Sequence, residues 1–262
     1  MPSGILWMHD LSKRADAAAS AVLRLSTSNR ASAVIAHATG HLDPAGAVGR
    51  DARARFERIA DDLRDEGLHL TPVVRAGSPV ELMHKLVGER GLDLVVFGRT
   101  GVSGFDRVLL GSTAAKLVRD APCPALVVHE TGLAPLDRIV CAIDPQDPTP
   151  AVVAAAAELA CDHGAHLDIV TVVEAGSGKE DMEEARRVAE SALRDHAPRT
   201  PERWTASAQV GETALHGILV ASRGAALLVV GTHGRTGLAR FLSGSVAEGL
   251  IDEAKTSVLV VP

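Results

Sequence analysis

Short apolar runs rich in β-branched residues recur along the chain, separated by longer stretches in which apolar and charged positions alternate at helical spacing. In the first half the runs fall at residues 5–9, 33–38, 70–75, 94–97 and 125–129. In the second they fall at 139–143, 167–173, 205–210, 227–230 and 258–261. Runs such as Leu94-Val95-Val96-Phe97 lack polar alternation, as parallel strands covered on both faces do. Between them, Phe56, Ile59, Ala60 and Leu63 share one helical face, and Met182, Ala185, Val188, Ala189 and Ala192 share another. The charged residues of 50–64 and 180–187 are expected to be the solvated sides of those helices. Ser78-Pro79 reads as a helix start, with Ser as N-cap and Pro at the first helical position. Strands alternating with helices predict an α/β fold of two tandem doubly wound domains, 1–131 and 136–262. Residues 130–135, with Gly132 and Pro135, form the expected linker.

A repeated string supports the division. Gly98-x2-Gly101-x9-Gly111-Ser112 returns as Gly231-x2-Gly234-x9-Gly244-Ser245. Each copy follows a predicted buried strand and ends where the next helix opens. Glycine lets the backbone approach a ligand closely, and a helix N-terminus offers unpaired N–H groups and partial positive charge to a phosphate. A Gly-rich loop can also simply turn the chain, but two copies after matching strands favour the ligand role. The string is not a Walker A loop, since no Gly-Lys-Ser/Thr follows. Nor does Gly-x-Gly-x-x-Gly follow the first strand of either half, so no dinucleotide fingerprint is present.

Asp10 and Asp144 close the first strand of each half. In open α/β sheets ligands bind beyond the carboxyl ends of strands, where the strand order reverses. A carboxylate there can accept from ribose hydroxyls or an adenine amino group. The competing role is a turn or N-cap aspartate.

Composition narrows the classes. Aromatics make up 2% of the chain and the net charge is −6, so neither a base-stacking platform nor a basic footprint for nucleic acid is present. Three cysteines without CxxC spacing suit a reducing compartment. No signal peptide or membrane span is expected, and the cytoplasm is the expected location. His163-x2-His166 beside Cys161 and Asp162 lacks a second ligand cluster and reads as a surface turn. Neither Ser112 nor Ser245 lies in a Gly-x-Ser-x-Gly elbow.

The loops, the strand-end aspartates and the segment Ala121-Pro122-Cys123-Pro124 before a valine-rich strand resemble the universal stress protein family in its tandem form. The resemblance spans essentially the whole chain. It implies a five-stranded parallel sheet of order 3-2-1-4-5 in each half, with ATP or AMP bound between strands 1 and 4 and Mg2+ accompanying ATP as its counterion. By position, Asp10 and Asp144 would face the adenosine, and Ala38 and Val172 would line the adenine pocket. Gly98, Gly101, Gly111, Ser112, Gly231, Gly234, Gly244 and Ser245 would hold ribose and phosphates. Thr113 and Val246 would sit just inside the helix, and His233 and Arg235 lie in the second loop. The first loop has Val102-Ser103 where the second has Arg235-Thr236, and His9 interrupts the first strand. The implied function is a stress-response regulator whose nucleotide occupancy modulates conformation or binding of an unidentified regulatory protein. No positioned general base for a dedicated enzyme is visible, and slow ATP hydrolysis is left open. The alternative is a docking protein with structural loops. The halves are expected to pair as an internal pseudo-dimer through their last strands, with a further homodimer left open.

Overall fold

The computed structural model describes residues 2–29, 31–99, 110–196, 203–232 and 245–262. The chain divides into two compact units, Met1–Gly132 and Leu133–Pro262, with the break inside the expected linker.

In the first unit the described strands are β1 (Gly4–Met8), β2 (Ser32–Ala38), β3 (Leu70–Arg75), β4 (Leu94–Gly98) and β5 (Ala125–Val128). They lie in the order β3-β2-β1-β4-β5, and each neighbouring pair is parallel. A short 3-10 turn (Ala15–Ala18) leads into α1 (Ala19–Asn29), followed by α2 (Ala47–Arg64), α3 (Pro79–Arg90) and α4 (Ser112–Arg119). The second unit repeats the plan. Its strands β6 (Arg138–Ala142), β7 (His166–Glu174), β8 (Thr205–Gly211), β9 (Leu227–Gly231) and β10 (Ser257–Val261) take the order β8-β7-β6-β9-β10. Its helices are α5 (Pro150–His163), α6 (Lys179–His196), α7 (Ala214–Ala221) and α8 (Ser245–Glu253). Strand 1 is thus central in each unit, and the order reverses between strands 1 and 4.

Local chemistry sets the element ends. Ser78 caps α3 by accepting from the Glu81 N–H at 3.2 Å, and Glu81 accepts from the Ser78 N–H at 2.8 Å, with Pro79 at the first position. Gly91 and Gly164 end α3 and α5 in the left-handed conformation, φ +60 and +62. β1 is buried along its whole length, whereas the edge strand β8 is mostly half-buried. Phe56, Ala60 and Leu63 are the buried face of α2, as the helical spacing predicts.

The amino ends of the strands differ between the units. In the second, Asp168 is buried beneath Arg138, whose guanidinium donates to it at 2.7 Å, and His166 lies 2.9 Å from it. Thr205 also donates to Asp168. Burial pushes the Asp168 carboxyl up, but the hydrogen bonds from Thr205 and Arg138, with the charges of Arg138 and His166, outweigh it and hold the group below its ordinary value. In the first unit the matching positions are Val34, Gly4, Ser32 and Thr71, and Ser32, Val34 and Thr71 line a cavity of ≈ 840 Å³ there. Asp168→Ala would leave Arg138 without its carboxylate and should cost the second unit about 2–3 kcal/mol, less than a fully buried pair because Arg138 is partly exposed. A depressed folded value means this stabilisation is present above about pH 4 and disappears as pH falls further. Denaturant titration at pH 7 and pH 3 checks both: a variant deficit that does not shrink at pH 3 contradicts the ion-pair explanation.

Candidate functional site

The carboxyl ends of strands 1 and 4 meet in each unit because β1 pairs with β4 and β6 with β9. Beyond β1 the His9 N–H still bonds the Ala36 carbonyl (2.9 Å), after which Asp10 emerges exposed. Its Oδ1 accepts from the Ser12 N–H at 2.9 Å. The second unit matches: the Ile143 N–H bonds the Val170 carbonyl at 3.0 Å, and Asp144 Oδ1 accepts from the Gln146 N–H at 2.9 Å. Both aspartates therefore close the same turn with one oxygen.

On the other side of the switch point, Gly98 ends β4, and the Arg99 N–H bonds the Val128 carbonyl at 3.1 Å. The Gly111 N–H then bonds the Arg99 carbonyl at 3.2 Å, which draws the N-terminus of α4 to the tip of β4. Gly111 is the extended N-cap and has no side chain with which to cap this end. Ser112 and Thr113 are exposed in its first turn. A side-chain carbon on Gly98 would lie 3.2 Å from the Arg14 carbonyl oxygen and 3.4 Å from Ala15 Cα. The loop that follows Asp10 thus rests against Gly98, and aspartate, glycine and helix terminus converge.

In the second unit Gly231 ends β9, the Thr232 N–H bonds the Val261 carbonyl at 2.9 Å, and α8 begins at Ser245 with Val246 half-buried. Gly101, His233, Gly234, Arg235 and Gly244 lie outside the described residues. Ala38 is the half-buried last residue of β2. Val172, also half-buried, packs on α7 so closely that a side chain at Gly217 would collide with it.

The model of the universal stress protein family matches residues 2–129 and again 135–262. The chain belongs to this family. It is 28% identical over 229 residues to a universal stress protein of Mycobacterium tuberculosis, covering 81% of this chain and 76% of the relative. A universal stress protein of Mycolicibacterium smegmatis is 27% identical over 225 residues, with the same coverage of each chain, 81% and 76%. Among solved structures, a universal stress protein from Archaeoglobus fulgidus superposes with a TM-score of 0.78 at 18% identity, over 99% of this chain and 98% of its own. These likenesses confirm the tandem α/β architecture of the universal stress protein fold.

Within this family frame the two units differ under strand 1. His9 is buried and its Nδ1 accepts from the Leu11 N–H at 2.9 Å, while Nε2 lies 2.9 Å from Asp16 Oδ1. Arg55 reaches from α2 to both Asp16 oxygens, at 2.9 and 2.8 Å, and to the Leu11 carbonyl at 2.6 Å. Arg55 thus turns inward, although its position in a charged run predicts a solvated face. Leu11 is held at φ +67, a left-handed conformation that costs a non-glycine residue about 1–2 kcal/mol. Burial lowers the proton affinity of His9; the Asp16 hydrogen bond and the Asp16 and Asp10 charges oppose this, and Arg55 adds to it. His9 was conspicuous in the sequence as an interruption of the strand, but nothing there pairs it with Asp16 and Arg55.

Cysteine chemistry does not converge on this site. Burial pushes the Cys141 thiol up to about 12 and, with the Asp93 charge, the Cys123 thiol to about 11. His163 ends α5, and His166 pairs with Asp168 in the next strand. Among the described residues no cluster of three or more metal-binding side chains is present, and no helix is long and apolar enough to cross a membrane.

Proposed function

We propose that each unit binds an adenine nucleotide, ATP or AMP, at the tip of strands 1 and 4, and that occupancy modulates conformation or binding of a regulatory protein in a cytoplasmic stress response. The observation that carries this reading is the convergence, in the first unit, of the Asp10 turn, Gly98 and the α4 N-terminus with glycine at its cap, joined by the Gly111–Arg99 hydrogen bond. Asp10 and Asp144 would accept from the adenosine, with Ala38 and Val172 beside the base. Gly98, Gly101, Gly111, Ser112 and Thr113 would hold ribose and phosphates in the first unit. Gly231, His233, Gly234, Arg235, Gly244, Ser245 and Val246 would do so in the second. A helix N-terminus favours phosphate over a neutral ligand. Mg2+ would arrive with ATP rather than on a protein carboxylate cluster.

Calorimetric titration with ATP and with AMP tests this directly. The intact chain should show two sites per molecule. Asp10→Ala and Asp144→Ala should each weaken one site about 10–100-fold, the value of a lost hydrogen bond to a charged group, about 1.5–3 kcal/mol. Absence of binding by either nucleotide would leave the loops as structural turns.

A further inference from the structure

We propose that His9 is a proton-sensitive latch on the Asp10 turn of the first unit, closed while the imidazole is neutral and released when it is protonated. The latch is a property of the chain itself. Its consequence, a nucleotide site in the first unit that weakens with acid while the second does not, rests on the function proposed above.

The hydrogen bonds assign the tautomer. His9 Nδ1 faces the Leu11 N–H, so it must be the acceptor, and the single proton of the neutral ring sits on Nε2, donated to Asp16 Oδ1. Leu11 is thereby held at both ends of its peptide environment, by His9 at the N–H and by Arg55 at the carbonyl, in a conformation a leucine does not adopt freely. A second proton can go only to Nδ1, where it would confront the Leu11 N–H donor to donor. The bond that keeps Leu11 left-handed becomes a repulsion, and Leu11 lies between Asp10 and Ser12, the two residues of the turn.

The surroundings of His9 decide how this responds to pH. Asp16 on the 3-10 turn and Asp10 on its own loop favour the cation, and Arg55 from α2 opposes it. His37 from β2 meets the His9 carbonyl through Nδ1 at 2.9 Å. The rings of Trp7 and Phe56, with centroids 5.2 and 5.4 Å away, wall the imidazole on its apolar sides. Burial dominates, and the latched ring binds its proton less readily than a free histidine. The released loop therefore takes up protons first: below about pH 6.5 the equilibrium moves toward release by up to about tenfold per pH unit, until the latched ring itself titrates. The second unit has Ile143 at this place, which cannot titrate.

Hydrogen exchange by NMR on the full chain without nucleotide tests the latch. At pH 7.5 the imidazole spectrum should show His9 protonated at Nε2 alone, and the Leu11 amide should be protected. Corrected for intrinsic exchange, that protection should fall several-fold, up to about tenfold, by pH 5.5, while the Gln146 amide of the second unit stays constant. His9→Ile should give weak, pH-independent Leu11 protection. If that variant does not fold, Asp16→Asn serves instead: removing the carboxylate lowers the latched ring's proton affinity further, so the acid loss of Leu11 protection should begin at the same pH and go deeper. Protection of Leu11 that is unchanged down to pH 5.5, or His9 protonated at Nδ1 at pH 7.5, overturns the latch. AMP titration then separates the two claims. In Asp144→Ala the remaining first site should weaken between pH 7.5 and 5.5 more than the remaining second site does in Asp10→Ala, the ligand's own titration being common to both. Equal pH responses with falling Leu11 protection overturn the gating role. No AMP binding at either pH, with the protection change intact, overturns the nucleotide reading and leaves the latch standing.

Discussion

Gly98→Val should reduce the nucleotide stoichiometry of the chain from two to one, with the first site weakened about a hundredfold or more, about 2.7 kcal/mol. A Cβ at this position already stands 3.2 Å from the Arg14 carbonyl oxygen and 3.4 Å from Ala15 Cα, both backbone atoms that move only with their loop. Valine adds two methyl groups to that carbon. They must either displace the loop that carries Asp10 or occupy the gap between it and the tip of β4, and both outcomes remove the place where ribose and phosphate would lie. The strand conformation itself tolerates the substitution, since Gly98 lacks a left-handed φ. The cost to folding should accordingly be that of ordinary overpacking, about 1–3 kcal/mol. Gly98→Ala, without the methyls, should bind with intermediate affinity. Calorimetry that still shows two sites of unaltered affinity in Gly98→Val would place the ligand elsewhere.

The scaffold was largely legible in the sequence, and the physics explains where legibility stopped. Parallel strands buried on both faces must be nearly continuous apolar runs, which made the interior strands plain, and the ten described strands coincide with the predicted runs to within a residue at each end. The Ser78 cap followed from the Ser-Pro pair, a hydroxyl that can accept from the first turn ahead of a residue with no N–H to give. The site divides differently. The two aspartates and the loop glycines repeat, and repetition made them visible. The cluster of His9, Asp16 and Arg55 occurs once and joins β1, the following loop and α2, so neither periodicity nor repetition points to it. Arg55 resembles every other arginine of its helix until the fold brings it to Asp16. Asp168 is a partial exception: a carboxylate inside an apolar strand needs a partner, and that requirement could have prompted a search for Arg138.

The units therefore share a scaffold while supporting it by different means. Strand 1 of the first is followed by a loop fastened to a buried imidazole and an arginine. In the second the equivalent loop, Pro145 to Thr149, is set by the Asp144 turn and by two prolines within it. The proline-fixed loop offers no titrating group at the Ile143 position, whereas the histidine-fixed loop exchanges some rigidity for sensitivity to its surroundings. Divergence at this point leaves the conserved plan of the sheet untouched, because strand register depends on the apolar runs below it.

Phe56→Ala should destabilise the first unit by about 3–5 kcal/mol, the usual range for removing a fully buried phenylalanine. Phe56 has no exposed surface and sits on the buried face of α2, its ring meeting the His9 imidazole edge-on at 5.4 Å. Truncation removes apolar burial and opens a cavity that Trp7 and the neighbouring strand residues, themselves inaccessible, have little room to fill. Domains carry about 5–15 kcal/mol of total stability, so the loss would be a large share of it. The cavity would also admit water beside His9, easing the burial that lowers its proton affinity, so the imidazole should titrate at higher pH and the acid loss of Leu11 protection should shrink. Hydrogen exchange of β1–β3 amides under native conditions measures the first effect, and imidazole titration of the variant measures the second. A loss below about 1 kcal/mol would mean that the α2 face collapses onto the gap, and an unmoved His9 transition would mean that burial by this ring is not what sets it.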